Sequence, residues 1–73
     1  MDKLMENTIK QFGNKVREIR LQKKMSQGDV AKILGVHRSY ISGIERGTRN
    51  PSLITIGKIA KALGVSKDIL VKF

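Results

Sequence analysis

Apolar residues recur along the chain at helical spacing, in short stripes separated by glycine and by polar caps. From Asp2 to about Lys24 they fall at Met5, Ile9, Phe12, Val16 and Ile19, steps of three and four that mark one amphipathic helix. Gly13 lies inside this stripe at a cost of about 1 kcal/mol relative to alanine, which places the start of the ordered part as late as Thr8. Ser26 and Asp29 have the spacing of a capping box, with Asp in the usual Glu or Gln place, so a second helix is expected from Gln27 to Leu34. A third follows from His37 or Arg38 to Arg46. Gly47 to Pro51 has the composition of a loop. Ser52 then caps a fourth helix with the stripe Leu53, Ile56, Ile59, Ala60 and Leu63, stopped by Gly64. Ser66 caps a last short helix, SKDILVKF, presenting Ile69, Leu70 and Phe73.

The segment from Gln27 to Arg46 has the pattern of a helix-turn-helix. Val30, Ala31, Leu34, Val36, Ile41 and Ile44 supply the facing apolar sides, and the small Ala31 lets the two helices approach. Gly35 is suited to the left-handed conformation that ends the first helix. Val36 and Ile41 are expected to form the inward face of the second.

At about 100° per residue, Ser42, Arg46, Ser39 and Gly43 lie within roughly 140° of Arg38, while Ile41 and Ile44 point the opposite way. This outward face carries hydrogen-bond donors and no carboxylate, on a rod of about 13 Å that fits a DNA major groove. The bare Gly43 suggests close approach by something outside. Tyr40, at the edge of the two faces, has two readings: a phenol that reaches phosphate or a thymine methyl, or a packing residue with a wet hydroxyl. Gln27, in the first turn of its helix, is either a phosphate clamp or an ordinary polar neighbour of the cap. His37, at a helix start, is placed to contact DNA backbone or solvent. Arg49, in the loop three residues after Arg46, favours a DNA role.

Fifteen Lys and Arg against six Asp and Glu give a formal charge of +9, so the expected partner is a polyanion, nucleic acid first. A chain of 73 residues makes one small domain, which buries about 60% of its unfolded surface. With no cysteine and one histidine, neither disulfides nor a metal site are expected. The sequence has no paired carboxylates, Ser-His-Asp set or phosphate-binding glycine loop, so no catalytic residues, cofactor or small-molecule ligand are expected. The apolar runs are too short to span a bilayer, and MDKLMENTIKQF lacks the layout of a signal peptide, so no membrane partner and a cytoplasmic location are expected. AKILGV at 31–36 returns as AKALGV at 60–65, but the second copy leads into SKDIL without an arginine-bearing face, so it is an echo of helix-ending chemistry rather than a second reading unit.

Ser26-Gln27, Val30-Ala31, Leu34-Gly35-Val36, Ile41-Ser42, Ile44-Glu45, Gly47, Asn50-Pro51 and Ile59 to Val65 together resemble the lambda-repressor-like (XRE) DNA-binding domains. Within that family, RSYISGIERGTRNPS is most similar to the controller proteins of restriction-modification systems. The resemblance implies an all-α domain of five helices that binds a near-palindromic operator on double-stranded DNA as a homodimer and regulates transcription. It further implies Arg38, Ser39 and Gly43 over base edges, with Ser42 and Arg46 on the same face, and Gln27 on a phosphate. Since Gly43 has no side chain, the burden of base reading shifts to Arg38 and Arg46. Controllers also carry tyrosine and loop arginine where Tyr40 and Arg49 stand. Arg20 is implied to bridge to Glu45 as a structural pair.

The family usually has a helix-favouring acid where this chain has Gly28. Ile54 lies off the stripe of its helix, and with Leu70, Val71 and Phe73 it predicts a two-fold dimer interface over residues 52–73, the other reading being a C-terminus folded back on its own core, which accounts for some of these residues but not all. The alternative roles are a phage- or plasmid-type repressor, or an antitoxin-like protein-interaction module.

Overall fold

The computed structural model describes residues 2–73 and contains, among them, the helices α1 (Lys3–Gln22), α2 (Gln27–Leu34), α3 (Arg38–Arg46), α4 (Leu53–Leu63) and α5 (Lys67–Leu70), with no strand. The fold is all-α. The Asp2 carboxylate accepts the Met5 backbone N–H at 2.9 Å and caps α1, so the helix starts five residues ahead of Thr8. Gly13 does not weaken it for nothing. A Cβ at this position would overlap the carbonyl oxygens of Ile44 and Glu45, so the missing side chain is what lets α1 and α3 lie backbone to backbone.

Phe12, Val16 and Ile19 of α1, Val30 and Ala31 of α2, Ile41 and Ile44 of α3, Ile59, Ala60 and Leu63 of α4, and Leu70 form one buried cluster. Burying an aliphatic side chain contributes about 1.5–3 kcal/mol, and here the residues come from every helix. The folded state therefore rests on all five together, as expected of a domain this small. No described helix is long and apolar enough to cross a membrane.

Four expectations about apolar positions are corrected. Met5 and Leu53 begin their stripes but lie exposed, because each sits in the first turn of its helix, beyond the reach of the core. Val36 is in the turn, its N–H donated to the Ala31 carbonyl at 3.0 Å, and is exposed; Ile41 and Ile44 make the inward face of α3 instead. Leu70, expected at a dimer interface, is 0% exposed and belongs to the core. After Gly64 the chain turns back and α5 packs on both α4 and α1, which directs Leu70 into the space between them. Ile54 is 73% exposed, Val71 51% and Phe73 52%, and Leu53 joins them at 85%.

Candidate nucleic-acid interface

The capping box at the start of α2 is complete. Asp29 N–H donates to Ser26 Oγ at 2.9 Å and Ser26 N–H to Asp29 Oδ2 at 2.8 Å, and the Ser26 backbone N–H, with the Ser26 side chain, holds the Asp29 carboxyl below its ordinary pKa. Gly35 ends α2 at φ 73°, the left-handed conformation the turn requires. His37 caps α3: its Nδ1 accepts the Ser39 backbone N–H at 3.1 Å and lies 2.9 Å from Ser39 Oγ. In the neutral ring this leaves the proton on Nε2, a donor at the open end of the helix.

Arg20 and Glu45 form the expected bridge, and it is the centre of a wider network. Arg20 Nε donates to Glu45 Oε2 at 2.6 Å, its Nη2 to Glu45 Oε1 at 3.0 Å, and its Nη1 to the Met25 carbonyl at 2.9 Å. Both residues are buried. The hydrogen bond to Glu45 keeps the guanidinium pKa raised against the opposing effect of burial. Gln27 Nε2 donates to Glu45 Oε1 at 3.1 Å, which sequence reasoning missed. The Glu45 carboxylate thus ties α1 and the first residue of α2 to α3, and Arg20 holds the α1–α2 connection to the same network. Gln27 is half-buried, and its side chain is oriented by this bond rather than by the cap.

On the outward side of α3, Arg38, Ser39 and Arg46 are exposed and Ser42 is half-buried. Arg46 Nε donates back to the Ser42 carbonyl at 3.3 Å. Glu45, the sole acid of α3, is buried, so the outward side presents guanidinium and hydroxyl groups and no carboxylate. Arg38, Ser39, Ser42 and Arg46 share one surface; the angular count puts Glu45 about 20° from Arg38, and its bonds to Arg20 and Gln27 are what draw the carboxylate away from that surface.

Tyr40 packs half-buried against the core, as its packing reading has it, and the Arg49 guanidinium lies over its ring, 5.5 Å from the centroid. At that distance the cation is attracted by the ring's negative face. Gly43 corrects an expectation. It is buried, and what approaches it comes from this chain's own loop. A Cβ there would stand 2.8 Å from Arg49 Cγ and 3.3 Å from Thr48 Oγ1. Thr48 closes the loop by donating its N–H at 2.9 Å and its hydroxyl at 3.1 Å to the Gly43 carbonyl.

A helix-turn-helix family profile matches residues 16–70, covering the end of α1 and everything through α5. The chain belongs to this family. Its relatives include the control protein C.BamHI of Bacillus amyloliquefaciens, 59% identical over 90% of this chain and 85% of that protein. The control protein C.MunI of a Mycoplasma species is 42% identical over 82% of this chain and 84% of that protein. Among solved structures, the restriction-modification controller C.AhdI from Aeromonas hydrophila superposes with a TM-score of 0.82 at 44% identity, over 85% of this chain and 94% of that one. The controller C.Esp1396I, solved as a tetramer in complex with its natural 35 base-pair operator, gives 0.80 at 36% identity, over 86% and 83%. The family resemblance read from Ser26-Gln27 through Val65 is thus that of a lambda-repressor-like domain of the controller type.

Proposed function

We infer that this protein is a restriction-modification controller: a DNA-binding transcription regulator that acts as a homodimer on a near-palindromic operator. The observation that carries the reading is the outward face of α3, where Arg38, Ser39 and Arg46 stand exposed and the one acid is turned inward. Its likeness to proteins named as controllers supports the same conclusion.

In this reading α3 lies in the major groove. Arg38, Ser39, Ser42 and Arg46 read base edges, Arg38 foremost, since arginine bidentate to guanine is the commonest specific contact. Gln27, His37, Tyr40 and Arg49 hold the phosphate backbone and set the register of α3. Gln27 can do so because its bond to Glu45 fixes its orientation in advance. His37 brings its outward Nε2–H.

The dimer forms about a two-fold axis through residues 52–73, using the exposed Leu53, Ile54, Val71 and Phe73. Such a dimer sets two α3 helices about 34 Å apart, on half-sites one turn apart. The protein works where DNA is accessible, in the cytoplasm, and its role is binding rather than catalysis.

The test is selection of bound sequences from a random duplex pool near physiological salt. A two-fold symmetric site with half-sites about one turn apart is the expected result. Recovery of no consensus, with binding that disappears as salt rises, would leave only charge attraction and defeat the reading.

A further inference from the structure

The reading face of α3 has a gap at position 43, and the structure fills it from outside the helix. The aliphatic stem of Arg49 crosses Gly43, where a Cβ would be 2.8 Å from Cγ and 3.6 Å from Nε, and its guanidinium continues onto Tyr40. On the helical wheel, position 43 stands about 140° from Arg38 and position 40 about 200°, so Arg49 extends the outward face by one place beyond Gly43. Real Cβ atoms do not approach another carbon at 2.8 Å, so any other residue at 43 displaces the arginine. Three contacts hold the arrangement: the two Thr48 bonds to the Gly43 carbonyl, which set the loop, and the Tyr40 ring under the cation.

We propose that Gly43 is a positioning residue for operator binding: by lacking a side chain it seats Arg49 in that place, where the loop arginine grips the DNA backbone beside α3. The glycine contributes nothing to DNA contact itself. It acts through Arg49, and Tyr40 orders the guanidinium before DNA arrives, which removes part of the entropy cost of immobilising a long side chain on binding. The proposal rests on the reading that α3 faces DNA, and its test separates the two.

The experiment compares the full chain with Gly43→Ala, Arg49→Ala and the double variant. Alanine is a better helix former than glycine, so thermal unfolding is expected to show Gly43→Ala folded. In the free protein the Arg49 guanidinium lies over the ring of Tyr40, so the Tyr40 ring current shifts the Arg49 side-chain protons upfield in NMR spectra. Gly43→Ala should abolish the upfield shift of the Arg49 side-chain protons.

On the selected operator each single variant should bind about tenfold more weakly than wild type, and the double variant no more weakly than Arg49→Ala. Unchanged Arg49 shifts in Gly43→Ala would overturn the positioning role whether or not DNA is bound. An equal loss from Gly43→Ala with and without Arg49 would overturn it too, since the glycine would then act through the helix alone. Failure of the wild type to select any operator would instead sink the functional reading, together with the DNA half of this proposal.

Discussion

An alanine at position 13 would drive its methyl into the Ile44 and Glu45 carbonyl oxygens, whereas one at position 28 would meet only Ser26 Oγ at 3.6 Å. Backbone carbonyls in a helix cannot give way as a flexible side chain can. Gly13→Ala is therefore expected to destabilise by about 1–3 kcal/mol, the cost of overpacking, in spite of better helix propensity. Gly28→Ala should stabilise by about 0.5–1 kcal/mol. Urea unfolding of the two variants checks both signs.

The residues proposed to bind DNA divide in the same way, by what each touches. Arg38 is exposed and holds no partner among the described residues, so Arg38→Ala should leave stability unchanged and cost about 1–3 kcal/mol of discrimination between operator and mismatched sites. Gln27→Ala should weaken all sequences alike. Competition binding with operator and scrambled duplexes distinguishes them, and an equal loss on every sequence from Arg38→Ala would remove that residue from base reading.

Helix α3 is held to the scaffold by apolar packing of Ile41 and Ile44 and by the Arg20–Glu45 pair. Arg20→Ala leaves a buried carboxylate with Gln27 as its one remaining side-chain partner among the described residues, and removing one partner of a buried pair costs about 3–5 kcal/mol. Replacing both residues by apolar ones of similar volume should cost far less, because no unpaired charge remains. Calorimetry of the single and double variants measures the difference. At the start of α2 the pH sign runs the other way from a basic group. Asp29 has a depressed pKa, so its contribution is present above the ordinary carboxylate pKa and is lost as pH falls through the lower folded value. Acid titration of Asp29→Asn beside wild type should therefore show the two stabilities converging only at the acid end.

For the whole molecule, the distribution of exposed apolar residues decides what a charge at the C-terminal end does. Ile54→Asp places a carboxylate on an open surface and should give a folded monomer in sedimentation equilibrium, with weakened operator binding. Leu70→Asp places it in the core and should unfold the chain. If Ile54→Asp remained dimeric, the two-fold axis would not pass through the start of α4. The charge of +9 enters at this scale as well, since each phosphate contact removed by mutation should lower the slope of log affinity against log salt by about one.

Helix positions, the Ser26–Asp29 cap, the left-handed stop at Gly35 and the common outward face of Arg38, Ser39, Ser42 and Arg46 were legible in the sequence, because each depends on residues within a turn or two of one another. The pairing of Arg20 with Glu45 came from family resemblance, since 25 residues separate them and spacing says nothing of such a contact. What only the tertiary structure decided lies between elements. Gly13 reads as a weak point of α1 until the backbone of α3 is seen against it. Leu70 and Val71 are neighbours of similar chemistry, yet the angle at which α5 meets α1 and α4 buries one and exposes the other. Gly43 reads as a gap in a recognition helix, and the return of the loop fills it with Arg49. Local propensity is written in the order of residues; which side chain meets which across a packed interface depends on how the helices cross.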